Sequence, residues 1–403
     1  MIALSHAEKT FGQEPRQLTA LRGIGLDIGA GESTAVMSMF LAILAFGASA
    51  VGGAAQIKND EAVDFYSTAA YFSTDIKRWI VPINGHIHEL EADSWRRNLA
   101  VKALMQWLDL NPTDSKSALF RERARYFLAD NERGKRVTII LAGQHFLLAK
   151  SSSNGHFDEQ LVLPESPGLG EMPGLVSDPV SGIRWVSFKA LTRRQDQRLF
   201  TGRVQFIEPQ GLSVISDIDD TIKVSQVHDR QALLANTFLR PYKPVPGMAQ
   251  LYHAWAHRGA AFHYVSSSPW QLWNPLDGFL QEFNFPFGDI HLRKFRVKDR
   301  SFFEVFKDSH EGKGIAIDRL FQRYPRRRFI LVGDSGERDP EIYAERARRY
   351  PNRVVHIFIR DTLGEALQPS RFREAFKDIP ASRWTVFSDP KSLRSWSWNP
   401  AAH

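Results

Sequence analysis

The sequence predicts a parallel α/β domain over the C-terminal half of the chain, preceded by a β-rich, sandwich-like domain. Three observations carry this. After residue 209 short apolar runs alternate with helical stretches. Between 60 and 208 strand-like runs are separated by Gly- and Pro-rich turns. One apolar strand in the second region runs directly into aspartates, Val214-Ile215-Ser216-Asp217-Ile218-Asp219-Asp220-Thr221.

The 403 residues suffice for two domains with their own cores. A composition of 43% apolar and 24% charged residues is that of a globular chain, neither disordered nor built of many membrane spans. The net charge of +7 favours anionic partners such as phosphate esters, nucleic acid or acidic lipid, without choosing among them. There is no cysteine, which excludes thiol nucleophiles, thiolate zinc sites and disulfides.

Taken in order, residues 1–57 come first. From Val36 to Ile57 nothing is charged, and Phe40–Phe46 is an apolar run. That length just spans a bilayer, and Ala48-Ser49-Ala50 and Gly53-Ala54-Ala55 suit signal-peptidase cleavage. A start at Met37 or Met39 would bring the segment to an N-terminus, although without Lys or Arg ahead of it. The expectation is a signal peptide or anchor, hence an exported or membrane-anchored protein, or a cytoplasmic one if this is a buried helix. Upstream, Ala3 to Met37 resembles the opening strands of an ABC-transporter ATP-binding domain. No Gly-x-x-x-x-Gly-Lys-Ser/Thr follows, so no ATPase is implied.

Residues 60–208 form the β-rich region. Trp79–His88, Arg136–Leu141, Leu161–Leu163, Ile183–Phe188 and Leu199–Ile207 read as strands, and Ser94–Leu108 and Ser115–Ala129 as helices. The Pro- and Gly-rich stretch Pro164–Pro179 reads as a mobile loop. His86, His88, His145 and His156 lack metal-ligand spacing and read as structural or surface residues. In residues 209–380 the strands are Leu212–Ser216, Ala261–Val265, Phe329–Val332 and Val354–Ile359; Gly247–His257 and Gly314–Arg323 read as helices. The Trp- and Ser-rich tail, 381–403, has no assignment.

The aspartates carry the chemistry. Carboxylates at i and i+2 of an extended chain share one side, here the C-terminal edge of a parallel sheet, where open α/β folds bind ligands. One ionised carboxylate can attack phosphorus and the other can protonate the leaving oxygen. Their repulsion calls for a cation, and a hard oxygen-seeking ion such as Mg²⁺ fits. An EF-hand is excluded, because the glycine its loop requires is replaced by Ile222. Three further elements suit the same chemistry. The strand Phe262–Val265 ends in Ser266-Ser267-Ser268, hydroxyls able to grip phosphate. The strand Phe329–Val332 ends in Gly333-Asp334, with Asp339 following, able to complete a metal shell. Lys313, opening a helix, can neutralise a transferring phosphoryl group.

Together and in this order, these elements resemble the motif set of the haloacid dehalogenase superfamily, with its Rossmann-like parallel sheet. Within it, the chain is similar to the phosphatidate phosphatase family typified by the fungal actin-patch enzyme. The resemblance runs from 212 to 361 through Ser216–Lys223, Pro244–Met248, Phe262–Trp270 and Gly333–Tyr343. It implies Asp217 as nucleophile and Asp219 as general acid/base, with Mg²⁺ on the Asp217 side chain, the Asp219 carbonyl and Asp334. It also implies that Thr221 supports the loop, Ser266 binds phosphate, and Lys313 bridges nucleophile and phosphate. Asp339 is a further candidate metal ligand, and Ser267 joins Ser266 as a candidate substrate contact. Phosphatidate as substrate and diacylglycerol as product rest on the resemblance, which gives no reason to expect nucleic acid.

Trp270 and Trp273 should border the site, where acyl chains could pack. Arg323 and Arg326–Arg328, with Arg348 and Arg349, resemble a membrane-docking patch, but strand direction puts Arg326–Arg328 at the sheet edge opposite the site. The basic residues Arg293, Lys294, Arg296, Lys298 and Arg300 are the better candidates for meeting anionic lipid. The alternatives are an acid phosphatase for soluble phosphomonoesters and a non-catalytic lipid- or phosphate-binding protein.

Overall fold

The computed structural model describes residues 57–89, 117–164, 168–293, 309–364 and 370–398, short helical pieces between 101 and 108, and four short strands before residue 29. The apolar stretch 36–56 and most of the helix expected at Ser94–Leu108 lie outside the described residues. In a first unit, Met1–Ala54, Ile2–Leu4 pairs antiparallel with Leu26–Ile28, and Thr10–Phe11 with Leu18–Thr19. The second unit, Ala55–His403, contains everything discussed below. Among the described residues, no helix is long and apolar enough to cross a membrane.

Residues 61–207 supply ten strands that join into one continuous hydrogen-bonded sheet. Its longest strand holds it together. Arg78–Glu89 carries Thr68–Ser73 and Glu61–Phe65 along one edge, and His156–Val162 and Asp130–Asn131 along the other. The stretch expected as a loop, 164–179, contains a helical turn, Leu169–Glu171, and a strand, Leu175–Ser177, that pairs with Arg184–Ala190.

The second region is a six-stranded, wholly parallel sheet: β1 (Gly211–Ser216), β2 (Ala261–Pro269), β3 (Gly288–Arg293), β4 (Arg327–Asp334), β5 (Val354–Arg360) and β6 (Trp384–Phe387). Their order across the sheet is β3-β2-β1-β4-β5-β6. The chain runs outward from β1 to β3 and then crosses back to β4. This doubly wound order leaves a crevice at the C-terminal ends of β1 and β4. Helices α1 (Met248–Ala256), α2 (Trp273–Glu282), α3 (Ser309–Arg323) and α4 (Asp339–Arg349) accompany these strands.

Central strands buried on both faces read as continuous apolar runs, and β1 and β4 do so: Val214, Ile215, Ile330, Leu331 and Val332 are fully buried. The edge strands β3 and β6 escape such a reading because one is half polar and the other only four residues long. Helix α3 begins earlier than Gly314. That glycine sits inside the helix, with the Arg346 guanidinium packed over it. The tail packs onto the sheet as far as Trp398: Trp396 stacks edge-on against Phe358, and Trp398 lies beneath the Arg258 guanidinium at 4.1 Å.

The two regions share buried clusters. Ala69 and Ile207 belong to the same core as Ile215 and Phe329, and Ile183 to that of Val214.

Candidate active site

The site forms where β1 and β4 end. The ladder continues one residue past β1, with the Asp217 amide donating to the Val332 carbonyl at 2.8 Å. The chain then turns sharply, Ile222 and Lys223 both donating to the Ile218 carbonyl. Asp220 takes a left-handed backbone, φ 54°, and its carboxylate accepts from the amides of Ser225, Gln226 and Val227. Asp220 thus shapes the loop.

The two carboxylates take different partners. Asp217, fully buried, accepts from the Lys313 ammonium at 2.8 Å. Asp219 forms a 2.8 Å ion pair with Lys223 and accepts from the hydroxyls of Ser225, Ser266 and Ser268. Burial alone would raise the Asp219 pKa, but Lys223 and these donors take it down to about 2.

On β4, Asp334 caps its own loop, accepting from the amides of Gly336 and Glu337 at 2.6 and 3.2 Å. Asp339 opens α4 and ion-pairs with Lys313. Only glycine fits at 333, since a Cβ there would lie 2.1 Å from Asp339 Oδ2. Lys313 sits one turn inside α3 and also reaches Glu337 at 3.4 Å. Burial works against its charge, but Asp217 and Asp339 push its pKa well above the usual value.

Asp217, Asp334 and Asp339 each present an oxygen within 4.8 Å of the others. Burial raises Asp217 and Asp334 well above the usual carboxylate range; repulsion from Asp339 and Glu337 adds to this, while Lys313 opposes it. Asp217 Oδ2 and Asp334 Oδ2 are buried without a hydrogen-bond partner. Two orphaned carboxylate oxygens among such repulsion fit a bound cation, so this cluster can hold a metal ion. The Asp219 side chain stands outside it.

Ser266 and Ser268 reach the site through Asp219. Ser267 Oγ and Thr221 Oγ1 are buried and make no hydrogen bond. Ser267 instead lines a cleft of about 480 Å³ that also exposes Lys313, Trp270, Trp273, His291 and Arg319. Arg293 and Arg323 border the same cleft, so Arg323 parts company with its neighbours in sequence. Arg327 is buried and ties the base of β1, donating to Ser213 Oγ and to the Glu208 carbonyl, each at 2.8 Å. Arg349 pairs with Asp318.

Sequence reading gave no role to Glu337, Lys223 or Ser225, and took Ser268 for a phosphate contact where its hydroxyl donates to Asp219. Burial, with the Asp339 charge adding and Lys313 opposing, raises Glu337 to about 7. All four lie within or beside the quoted motifs, which was the available signal. Missed entirely was Arg371, whose guanidinium donates to the Ser335 and Glu337 carbonyls from a helix outside those motifs.

A buried cluster of carboxylates around one lysine thus stands at the switch point of a parallel sheet, the place where open α/β folds bind ligands. Residues 212–361 match the model of the family described as phosphatidate phosphatase APP1, catalytic domain. Two relatives are similar over part of the chain. Phosphatidate phosphatase APP1 of Saccharomyces cerevisiae is 36% identical over 160 residues, 38% of this chain and 27% of the yeast protein. An uncharacterized protein of Schizosaccharomyces pombe is 32% identical over 172 residues, 42% of this chain and 28% of its own length. The chain thus spans little more than a quarter of each relative. The family read from the motifs and the family found by comparison are the same.

Proposed function

We propose that this chain is a phosphoric monoester hydrolase of the haloacid dehalogenase type that converts phosphatidate to diacylglycerol and phosphate through an aspartyl-phosphate. The observation that carries this reading is the buried Asp217 carboxylate, held by Lys313 and facing Asp334 and Asp339. The likeness to a phosphatidate phosphatase catalytic domain supplies the substrate class.

An Asp217 oxygen attacks phosphorus, and the ester P–O bond breaks with its electron pair leaving on the glycerol oxygen. Lys313, already on Asp217 Oδ1, sits where it can balance the incoming phosphoryl charge. Asp217, Asp334 and Asp339 would hold Mg²⁺, which when bound neutralises both the carboxylates and the phosphoryl oxygens. Asp219 takes the acid/base role: it protonates the leaving oxygen and then accepts a proton from the water that cleaves the aspartyl-phosphate. Its pairing with Lys223 must open for the first step, because in that pair it is ionised. Ser267 meets the phosphate, Thr221 supports the loop, and the Trp270–Trp273 wall of the cleft receives apolar substrate.

The test is phosphate release from phosphatidate in mixed micelles, beside soluble phosphomonoesters, with Mg²⁺ and with EDTA. Lipid-selective release is expected with Mg²⁺, falling at least ~10³-fold in Asp217→Asn, as befits loss of a covalent nucleophile. Release from soluble esters alone would keep the chemistry and overturn the lipid assignment.

A further inference from the structure

Three of the histidines that sequence reading left scattered come together in the β-rich region. His86 and His88 alternate along the strand Arg78–Glu89, so both point to one face. Asp64 stands directly across from His86 on one neighbouring strand and His156 on the other. Directly opposed residues share a face, which places one carboxylate and three imidazoles side by side. His145, by contrast, lies apart and exposed.

The geometry within this group is specific. The rings of His86 and His88 lie nearly parallel with centroids 4.9 Å apart. His88 Nδ1 is 3.6 Å from Asp64 Oδ2. His86 is held by its other nitrogen, Nε2, which lies 2.8 Å from Asn131 Oδ1. A proton on Nε2 donated to that oxygen leaves Nδ1 with a bare lone pair, the second-shell arrangement that orients ligating imidazoles. Both rings are at most 1% exposed, yet Nδ1 of each has no hydrogen-bond partner. Two unpartnered ring nitrogens in so buried a place call for a ligand. Burial also holds both rings neutral, with His86 pushed down to about 4 and His88 to about 3, which is the ligating form.

We propose that Asp64, His86 and His88 form a binding site for a divalent transition ion of zinc's class, distinct from the carboxylate cluster around Asp217. Oxygen and nitrogen atoms of the three residues lie within 4.8 Å of one another. A tetrahedral ion with bonds of about 2.0–2.2 Å needs ligand separations of roughly 3.3–3.5 Å, reached by a small inward movement. Imidazole nitrogen sets this donor group apart from the all-oxygen cluster, which suits a harder ion. Arg125 and Asn274 also act on Asp64, so the ion would compete with them for its carboxylate. The ion would have a bearing on the active site, because His86 lies against Trp270, ring centroids 4.5 Å apart. Trp270 directly follows the strand whose serines hold Asp219.

The test uses the full chain stripped with EDTA and titrated with Co²⁺ in the presence of excess Mg²⁺, followed by Zn²⁺ competition. The expected result is one equivalent of Co²⁺ with visible absorption typical of tetrahedral nitrogen–oxygen ligation, displaced by Zn²⁺. This band should persist in Asp334→Asn and fall at least tenfold in affinity in His88→Gln and Asp64→Asn. Absence of the band in the unaltered chain would overturn the proposal, whether or not the variants fold. So would retention of unchanged affinity in folded His88→Gln. The readout is independent of phosphatase activity, so failure of the catalytic reading would not register here.

Discussion

At the scale of single residues, the pairing of Asp219 with Lys223 at 2.8 Å sets the protonation of the group that the reaction needs as an acid. Lys223 is itself buried and lies 4.9 Å from the Tyr242 ring, so its charge has little water to screen it. Replacing Lys223 with Met removes the main cause that lowers Asp219. The alkaline limb of kcat against pH, where this acid loses its proton, should then move upward by about a unit or more. A pH profile in saturating Mg²⁺ reads this directly, and an unmoved limb would show that Asp219 does not govern it. The division of labour between the two aspartates was only partly legible in the sequence. Their number and spacing gave the chemistry, but spacing does not reveal that Lys223 and the hydroxyls of Ser225, Ser266 and Ser268 hold Asp219.

At the scale of elements, legibility followed burial. Strands β1 and β4, apolar throughout, stand out in the sequence and bring Asp217 and Asp334 to one edge. The edge strands β3 and β6 carry no such run, and the glycines of α3 disguise its first turn. The tail was opaque because its aromatic residues have no period; their partners, Trp255, Phe358 and Arg258, lie far back in the chain. That docking has a measurable cost of loss. Trp398 is 6% exposed and covers the Trp396 ring, so Trp398→Ala should destabilise the fold by about 3 kcal/mol. Urea denaturation checks it; an unchanged midpoint would mean that the tail contributes nothing to the sheet.

At the scale of the molecule, the carboxylate cluster makes stability depend on cations and pH. Asp217, Asp334 and Glu337 have folded pKa values above their unfolded ones, so without metal the folded state binds more protons than the unfolded state. Stability then falls as pH rises from about 4, through Glu337 near 7. In EDTA the melting temperature should therefore be higher at pH 5.5 than at pH 8, by an amount on the order of several degrees. Mg²⁺ should reduce or reverse the difference, because it binds the ionised cluster. Asp334→Asn should melt higher than the unaltered chain in EDTA at pH 8 while losing turnover. Identical melts with and without Mg²⁺ would remove the cluster as a cation site.

The ring of Trp270 against His86 and His156 has a consequence for how this protein can change over time. The matched catalytic segment ends at 361, and yet one wall of its pocket rests on strands from before residue 163, while its acidic loop is fastened by Arg371 from beyond the other border. Shuffling that segment onto another scaffold would bring along a tryptophan without its seat and a loop without its clasp. The three parts are therefore bound to be inherited together, and a substitution at His156 should be matched in lineages by one at Trp270.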